Sequence, residues 1–220
     1  MISMSNWRTI FIWDVHWCYK EFKLLLKKLN LNEDDRVYLT WDLISRWPKS
    51  FKVLKYIYNN NTQFNTVLWN NEFDFIKWNK TWEKKYFREA FTKIKEKIIK
   101  YPEILDFLEK IPVYIEKENF LLVHWWLIPW KKLEDHTKKE LVNTTEINWK
   151  AWYLSYNWCK KIIYWHWWED WLRIRKNTIW LDTWCVYWKW LTAYILETWE
   201  IIQQSSKDIY INLYEKNNED

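Results

Sequence analysis

The sequence predicts an α/β domain built on two β-sheets, and two observations carry that expectation. Its first part alternates apolar strands, loops and amphipathic helices, the pattern of parallel β-α units. Its second half is a run of short strands separated by turns. No internal repeat or linker interrupts the 220 residues, so a single domain over 1–220 with a substantial core is expected. "RTIFI" (8–12) reads as a buried strand, being an apolar run of strand length. A helix follows near 18–29, where Phe22, Leu25, Leu26 and Leu29 recur at helical spacing. "RVYLT" (36–40) is a second strand. Pro48 suits a first helical turn, where a missing N–H costs nothing, and opens a helix to Tyr58. "FNTVL" (64–68) is a third strand, and two or three helices then span 71–110 with an interruption at Pro102. "VYIEK" and "FLLVH" read as a hairpin. "KIIYW", "LRIR", "TIWL", "LTAYILE" and "EIIQQSS" complete a largely β second half.

The composition is unusual in one respect: the chain has 23 Trp and no Gly. An average protein carries about 7% Gly, because some turns need φ > 0 or a close backbone approach that a Cβ forbids. The Trp residues fall where Gly is expected. Trp13 and Trp17 flank Asp14-x-His16, Trp41 and Trp47 bracket "WDLISRWP", Trp125 and Trp126 follow His124, and Trp184 and Trp188 lie in "LDTWCVYW". Most Trp are therefore read as standing at glycine positions. The net charge of +5 agrees with a phosphate-bearing substrate and equally with a solvated lysine-rich surface. Three cysteines without a CxxC pair fit a reduced, cytoplasmic protein. The N-terminus lacks a signal-peptide pattern and no run reaches the ~18 apolar residues of a membrane span, so no membrane association is expected.

Each early strand ends in residues suited to metal binding. The first ends in Asp14 and His16, the second in Asp42 with Arg46 shortly after, and the third in Asn70, Asn71 and Glu72. Later strands end in His124 and His166. Sites in open α/β sheets form at the carboxyl ends of strands, so these residues can converge. Carboxylate, imidazole and amide oxygen suit hard or borderline divalent ions such as Mn²⁺, Fe²⁺ or Zn²⁺. Asp42 could bridge two of them, and two ions ~3.5–4 Å apart would activate a water for phosphoryl transfer. His136, in "LEDHTKK", reads as a surface residue. The Lys- and Arg-rich "EKKYFREAFTKIKEKIIK" reads as a helix with a solvated face rather than a nucleic-acid surface. Arg173 and Arg175 fit either a polyphosphate contact or a charged strand edge.

With Trp read as Gly, "WDVHW", "WDLISRW", "WNNE", "HWW" and "WH" resemble, in order, the GDxHG, GDxxxRG, GNHE, HGG and GH motifs of calcineurin-like metallophosphoesterases of the phosphoprotein-phosphatase group. The resemblance covers nearly the whole chain. "WDLISRWPKSFKVLKYI", "YWHW" and "LDTWCVYWKWLTAYIL" are similar to the bacterial symmetrical diadenosine tetraphosphate hydrolases, whose GHW motif makes Trp167 a tryptophan in its own right. The resemblance implies an αββα fold and two divalent ions, manganese first, with iron, zinc, cobalt or magnesium as alternatives. It implies that Asp14 and His16 bind the first ion, that Asp42 bridges, and that Asn70, His124 and His166 bind the second. Arg46 would hold the substrate phosphate with its planar fork. The implied substrate is a dinucleoside polyphosphate or another phosphorylated compound. Ser45, where protein phosphatases carry Asp, favours the nucleotide branch.

Two departures qualify this. The chain lacks the long insertion that the larger hydrolases carry between their HGG and GH motifs. Asn71 also stands where the family has the His expected to protonate the leaving group, and an amide cannot deliver that proton. The resemblance thus implies substrate binding with impaired turnover. The alternatives are a Ser/Thr or Tyr protein phosphatase and a non-catalytic phosphate-binding module. Oligomeric state is left open.

Overall fold

The computed structural model describes residues 7–13, 15–16, 18–40, 50–124, 127–128, 131–142, 156, 159–164, 172–181, 183–187 and 189–208. Strand β1 (Thr9–Trp13) is buried along its whole length, as an unbroken apolar run requires when both faces of a sheet are covered. It pairs in parallel with β2 (Arg36–Thr40), and β2 pairs in parallel with β3 (Phe64–Thr66). Helix α1 (Tyr19–Leu29) connects β1 to β2 and buries the expected stripe of Phe22, Leu25, Leu26 and Leu29. It ends at Asn30, a left-handed residue (φ 44°) whose N–H donates to the Leu26 carbonyl. Helix α2 (Ser50–Asn59) buries Val53, Leu54 and Ile57; Pro48 lies outside the described residues. On the other side of β1 lie β9 (Trp190–Ile195) and β10 (Ile201–Ser205), both antiparallel to their neighbours. The first sheet thus has the order β10-β9-β1-β2-β3.

The second sheet contains the expected hairpin, β4 (Tyr114–Glu116) and β5 (Phe120–Val123), followed by β6 (Lys161–Ile163), β7 (Arg173–Ile174) and β8 (Thr178–Trp180). Its order is β4-β5-β6-β8-β7. The two sheets face each other. Phe120 packs edge-on against Phe11 and Tyr38, with ring centroids 4.9 Å apart in both pairs, a geometry worth about 0.5–1.5 kcal/mol per pair beyond burial. Phe120 and Leu122 join the core shared with the first sheet, whereas Leu121 and Val123 join a second cluster with Ile162, Tyr164 and Trp180. This period of two buries both faces of β5.

Helices α3 (Asn70–Thr81), α4 (Glu89–Ile98) and α5 (Pro102–Lys110) occupy the region between the sheets in sequence, with Pro102 in the first turn of α5. The lysine-rich segment is not one helix. Residues 84–86 form a single 3₁₀ turn, Arg88 is extended, and α4 starts at Glu89. The Arg88 guanidinium pairs with the Asp74 carboxylate at 2.7 Å, which anchors the break to α3. Strand β7, with Arg173, is the edge of the second sheet, consistent with the charged-edge reading.

The surface assignment of His136 is corrected: it is only 9% exposed. Its Nε2 accepts from the Ile128 N–H at 3.1 Å, and its Nδ1 lies 2.8 Å from the Lys132 carbonyl. It is a structural clasp beside α6 (Lys138–Val142). That helix opens with a capping box, in which the Thr137 hydroxyl accepts from the Glu140 N–H and the Glu140 carboxylate accepts from the Thr137 N–H.

The Trp positions divide. Trp82, Trp184 and Trp199 occupy left-handed backbone, with φ of 56°, 57° and 62°. Trp13 instead ends β1 in the sheet with its side chain buried, and Trp69 is extended at φ −111° and ψ 171°. No helix among the described residues is long and apolar enough to cross a membrane.

Candidate functional site

Strands β1, β2 and β3 run in parallel, with Trp13 opposite Thr40 and Leu39 opposite Thr66. Their carboxyl ends therefore share one edge of the first sheet. His16 lies beyond that edge, three residues after β1, and Asn70 and Asn71 form the first turn of α3. In the second sheet β5, β6 and β8 are also parallel, with Leu122 opposite Ile163 and Ile163 opposite Ile179. His124 follows β5 directly.

The two edges meet. The Trp69 indole stacks on the His124 imidazole, with centroids 3.9 Å apart and planes 28° from parallel. The Leu68 N–H donates to the Pro112 carbonyl at 2.7 Å, tying the end of the third strand's loop to the start of the hairpin. Asn70 is the next residue in the chain after Trp69 and opens α3. Of the nine strand-end residues singled out in the sequence, the structure describes His16, Asn70, Asn71, Glu72, which is buried in the first turn of α3, and His124. Asp14, Asp42, Arg46 and His166 lie outside the described residues.

Local chemistry explains each placement. Trp69 caps α3 but offers no side-chain acceptor, unlike the Ser, Thr, Asp or Asn preferred there. Asn70 takes over part of that role, its Oδ1 accepting from the Asn71 backbone N–H at 3.0 Å. Asn71 is half-buried at the amino end of the helix, where the backbone dipoles favour negative charge. His16 sits in a turn at φ 36°, an uncommon conformation that recurs at functional sites. His124 is fully buried, and burial pushes its imidazole pKa well below the usual histidine value. The ring is thus neutral, the form that has a lone pair for a metal.

Histidine binds a metal in the plane of its ring, so an indole stacked on the face leaves that direction clear. A neutral imidazole and an amide oxygen at one junction fit a borderline divalent ion by donor chemistry. Among the described residues no three His, Cys, Asp or Glu side chains cluster in a way that could hold a metal on their own. The sequence reading missed the contact between Trp69 and His124, because it treated position 69 as small; nothing in the sequence pairs those two residues.

No family profile matches the chain. Among curated proteins it is similar to the symmetrical bis(5'-nucleosyl)-tetraphosphatase of Buchnera aphidicola subsp. Schizaphis graminum, 45% identical over 67 residues, which is 30% of this chain and 24% of that protein. The protein of the same name from Actinobacillus succinogenes is 30% identical over 124 residues, 55% of this chain and 45% of that one. The match thus spans less than half the length of either relative. Among solved structures, a putative diadenosine tetraphosphatase superposes with a TM-score of 0.77 at 20% identity, covering 93% of this chain and 96% of that one. A metallophosphoesterase from Sphaerobacter thermophilus gives 0.60 at 12% identity, covering 90% and 87%. Two mixed sheets flanked by helices, together with these neighbours, establish the calcineurin-like metallophosphoesterase fold.

Proposed function

We propose that the chain is a metal-dependent phosphohydrolase that acts on dinucleoside polyphosphates, cleaving diadenosine tetraphosphate symmetrically to ADP. The observation that carries this reading is the stacking of Trp69, the residue before Asn70, on His124 where the carboxyl edges of two facing sheets meet, on a metallophosphoesterase fold. The names of the curated relatives support the substrate class.

In this reading Asp14 and His16 would hold one divalent ion, Asn70, His124 and His166 would hold the other, and Asp42 would be shared between them. Manganese is the first choice. When bound, the ion pair supplies Lewis-acid activation of water and neutralises phosphate charge. The chain's own groups do the rest. The neutral His124 ring offers nitrogen, and the Asn70 amide offers oxygen. Arg46 orients a phosphate through its fork. Asn71 donates a hydrogen bond to a phosphate or leaving-group oxygen but supplies no proton. No disulfide joins Cys18, Cys159 or Cys185, which fits a reducing, cytoplasmic setting.

The test is Asn71→His. General acid assistance is worth roughly 10²–10⁴-fold in rate. Steady-state hydrolysis of diadenosine tetraphosphate with Mn²⁺, at equal metal occupancy and in both the full chain and a Trp69→Gly background, should show kcat rising by about 10²-fold or more with KM little changed. Equal rates would mean that another group protonates the leaving oxygen. The identity of Asn71 favours a second reading, binding of the phosphate ligand without turnover. Saturable binding with no hydrolysis in either variant would select it.

A further inference from the structure

A cavity of about 720 Å³ opens between α3 and the α5–β4 connection. Small-molecule sites typically measure about 300–1,000 Å³. Two of its lining residues are close in the chain or the sheet to candidate site residues. Leu68, in its wall, precedes Asn70 by two residues, and Phe73 lies one turn further along α3. Tyr114, also in the wall, pairs in register with Val123, the residue before His124. The cavity is thus lined by one face of α3, from Phe73 to Lys80, and by residues near the junction of the two sheets.

Its lining combines two chemistries. Phe73 and Tyr114 contribute half-buried aromatic rings. Lys77 and Lys80 of α3, Lys110 of α5 and Lys138 of α6 contribute four ammonium groups. The one carboxylate in the lining, Glu109, is paired with Lys80 at 2.8 Å, which leaves an excess of three positive charges. A polyanion with a flat aromatic end matches both features, since phosphates meet lysines and bases stack on aromatic rings.

Resting on the phosphohydrolase reading, we propose that this cavity binds the second nucleotide of a dinucleoside polyphosphate, its phosphates against Lys77 and Lys110 and its base against Phe73 and Tyr114. The occupant is a nucleoside diphosphate moiety. It extends along α3 from the bond that is cleaved, its base farthest from the reacting phosphate, and selects substrates with a nucleotide at both ends.

The experiment uses the full chain in EDTA, so that no metal contributes, with ADP and inorganic tripolyphosphate as probes in calorimetric titrations. Lys77 and Lys110 are exposed, and reversing their charge leaves the core untouched. The Lys77→Glu/Lys110→Glu variant should bind ADP at least about tenfold more weakly, because it loses two charge-assisted contacts. Phe73→Ala should weaken ADP and leave tripolyphosphate unchanged. Unaltered ADP affinity in the charge-reversed protein overturns the proposal. So does tripolyphosphate binding as tightly as ADP and responding equally to Phe73→Ala, which would make the cavity a general anion site or an acidic-peptide groove. Hydrolysis of bis(p-nitrophenyl) phosphate by the unaltered, metal-loaded chain reports separately on the reacting centre. No turnover of that compound, with ADP binding that still responds to the variants, would sink the hydrolase reading and leave the cavity assignment standing.

Discussion

At position 199, replacing a large aromatic residue by glycine should not weaken the protein, and glycine should outperform alanine. Trp199 lies in the β9–β10 turn, is 67% exposed and has φ 62°. The turn closes through the Trp199 N–H on the Ile195 carbonyl and the Ile195 N–H on the Glu200 carbonyl, both at 2.9 Å. A residue with a Cβ in left-handed backbone costs about 1–2 kcal/mol, whereas glycine enters it freely. The ring returns part of that cost through Lys161, whose Nζ lies 4.8 Å from its centroid, an exposed cation–π contact worth about 0.5–1 kcal/mol. Trp199→Gly therefore comes out between neutral and about 1 kcal/mol stabilising. Trp199→Ala loses the ring and keeps the strain, so Ala should be less stable than Gly by about 1 kcal/mol, or roughly 2–4 °C in Tm. At an ordinary exposed helix position such as Lys27 the order reverses, with Ala ahead by about 0.5–1 kcal/mol. Urea titrations of both Ala/Gly pairs, compared at equal m-value, decide the matter. If Ala is the more stable at both positions, the left-handed strain argument fails, and with it the glycine reading of Trp82 and Trp184.

Other perturbations have equally definite outcomes. Asp35 is fully buried and accepts from the Arg8 guanidinium and from the Arg8 and Asn32 backbone N–H groups; because Arg8 is partly exposed, Asp35→Asn should cost about 2–3 kcal/mol in urea unfolding rather than the full value of a buried pair. Burial pushes the Asp35 carboxyl up, but those hydrogen bonds outweigh it and hold its pKa below the ordinary value. Its stabilisation is thus fully present above the unfolded pKa of ~3.9 and lost progressively as pH falls below that value and through the lowered folded-state pKa, so the Asp35→Asn deficit should shrink in acid. The hydrogen bond from Lys131, with those from Thr137, lowers the Glu140 pKa to about 2, and the Tm difference between the parent chain and Glu140→Gln should likewise narrow between pH 5 and pH 2, on the order of the range over which a depressed carboxylate is protonated. His136→Ala leaves the Ile128 N–H without its acceptor and should cost about 1–3 kcal/mol, where a surface histidine would cost almost nothing.

Much of this was legible in the sequence because period and strand length are local signals. β2 appears at the residues its apolar run marks, 36–40, and α1 buries the stripe its spacing marks. The strand-end rule also matches the backbone at His16 and His124, which follow β1 and β5, since parallel strands bring successive carboxyl ends to one edge. What stayed hidden depends on partners far along the chain. His136 sits among charged neighbours and reads as surface, yet its ring accepts from Ile128, eight residues back. The break before α4 is fixed by Arg88 reaching Asp74 across a turn, which no helical propensity reveals. Trp13 looked like a turn residue from its neighbours and proved to be the last residue of a strand. Trp199, covered only by the general reading of Trp as glycine, is left-handed. Backbone φ is set by how a turn closes, and composition alone does not carry it.

The direction of His124 follows from the same forces that hold the sheets together. Phe120 and Leu122 face the first sheet, while Leu121 and Val123 face away. Side chains alternate along a strand, so continuing the parity past Val123 turns His124 toward the first sheet, where Trp69 meets it. A one-residue slip of β5 would turn His124 outward and remove Phe120 from between Phe11 and Tyr38. That slip forfeits two edge-on aromatic pairs at about 0.5–1.5 kcal/mol each, besides the burial of the ring. The packing of Phe120 therefore fixes the register, and the register aims the imidazole. A residue with no chemistry of its own thus determines whether the second sheet turns His124 toward the first.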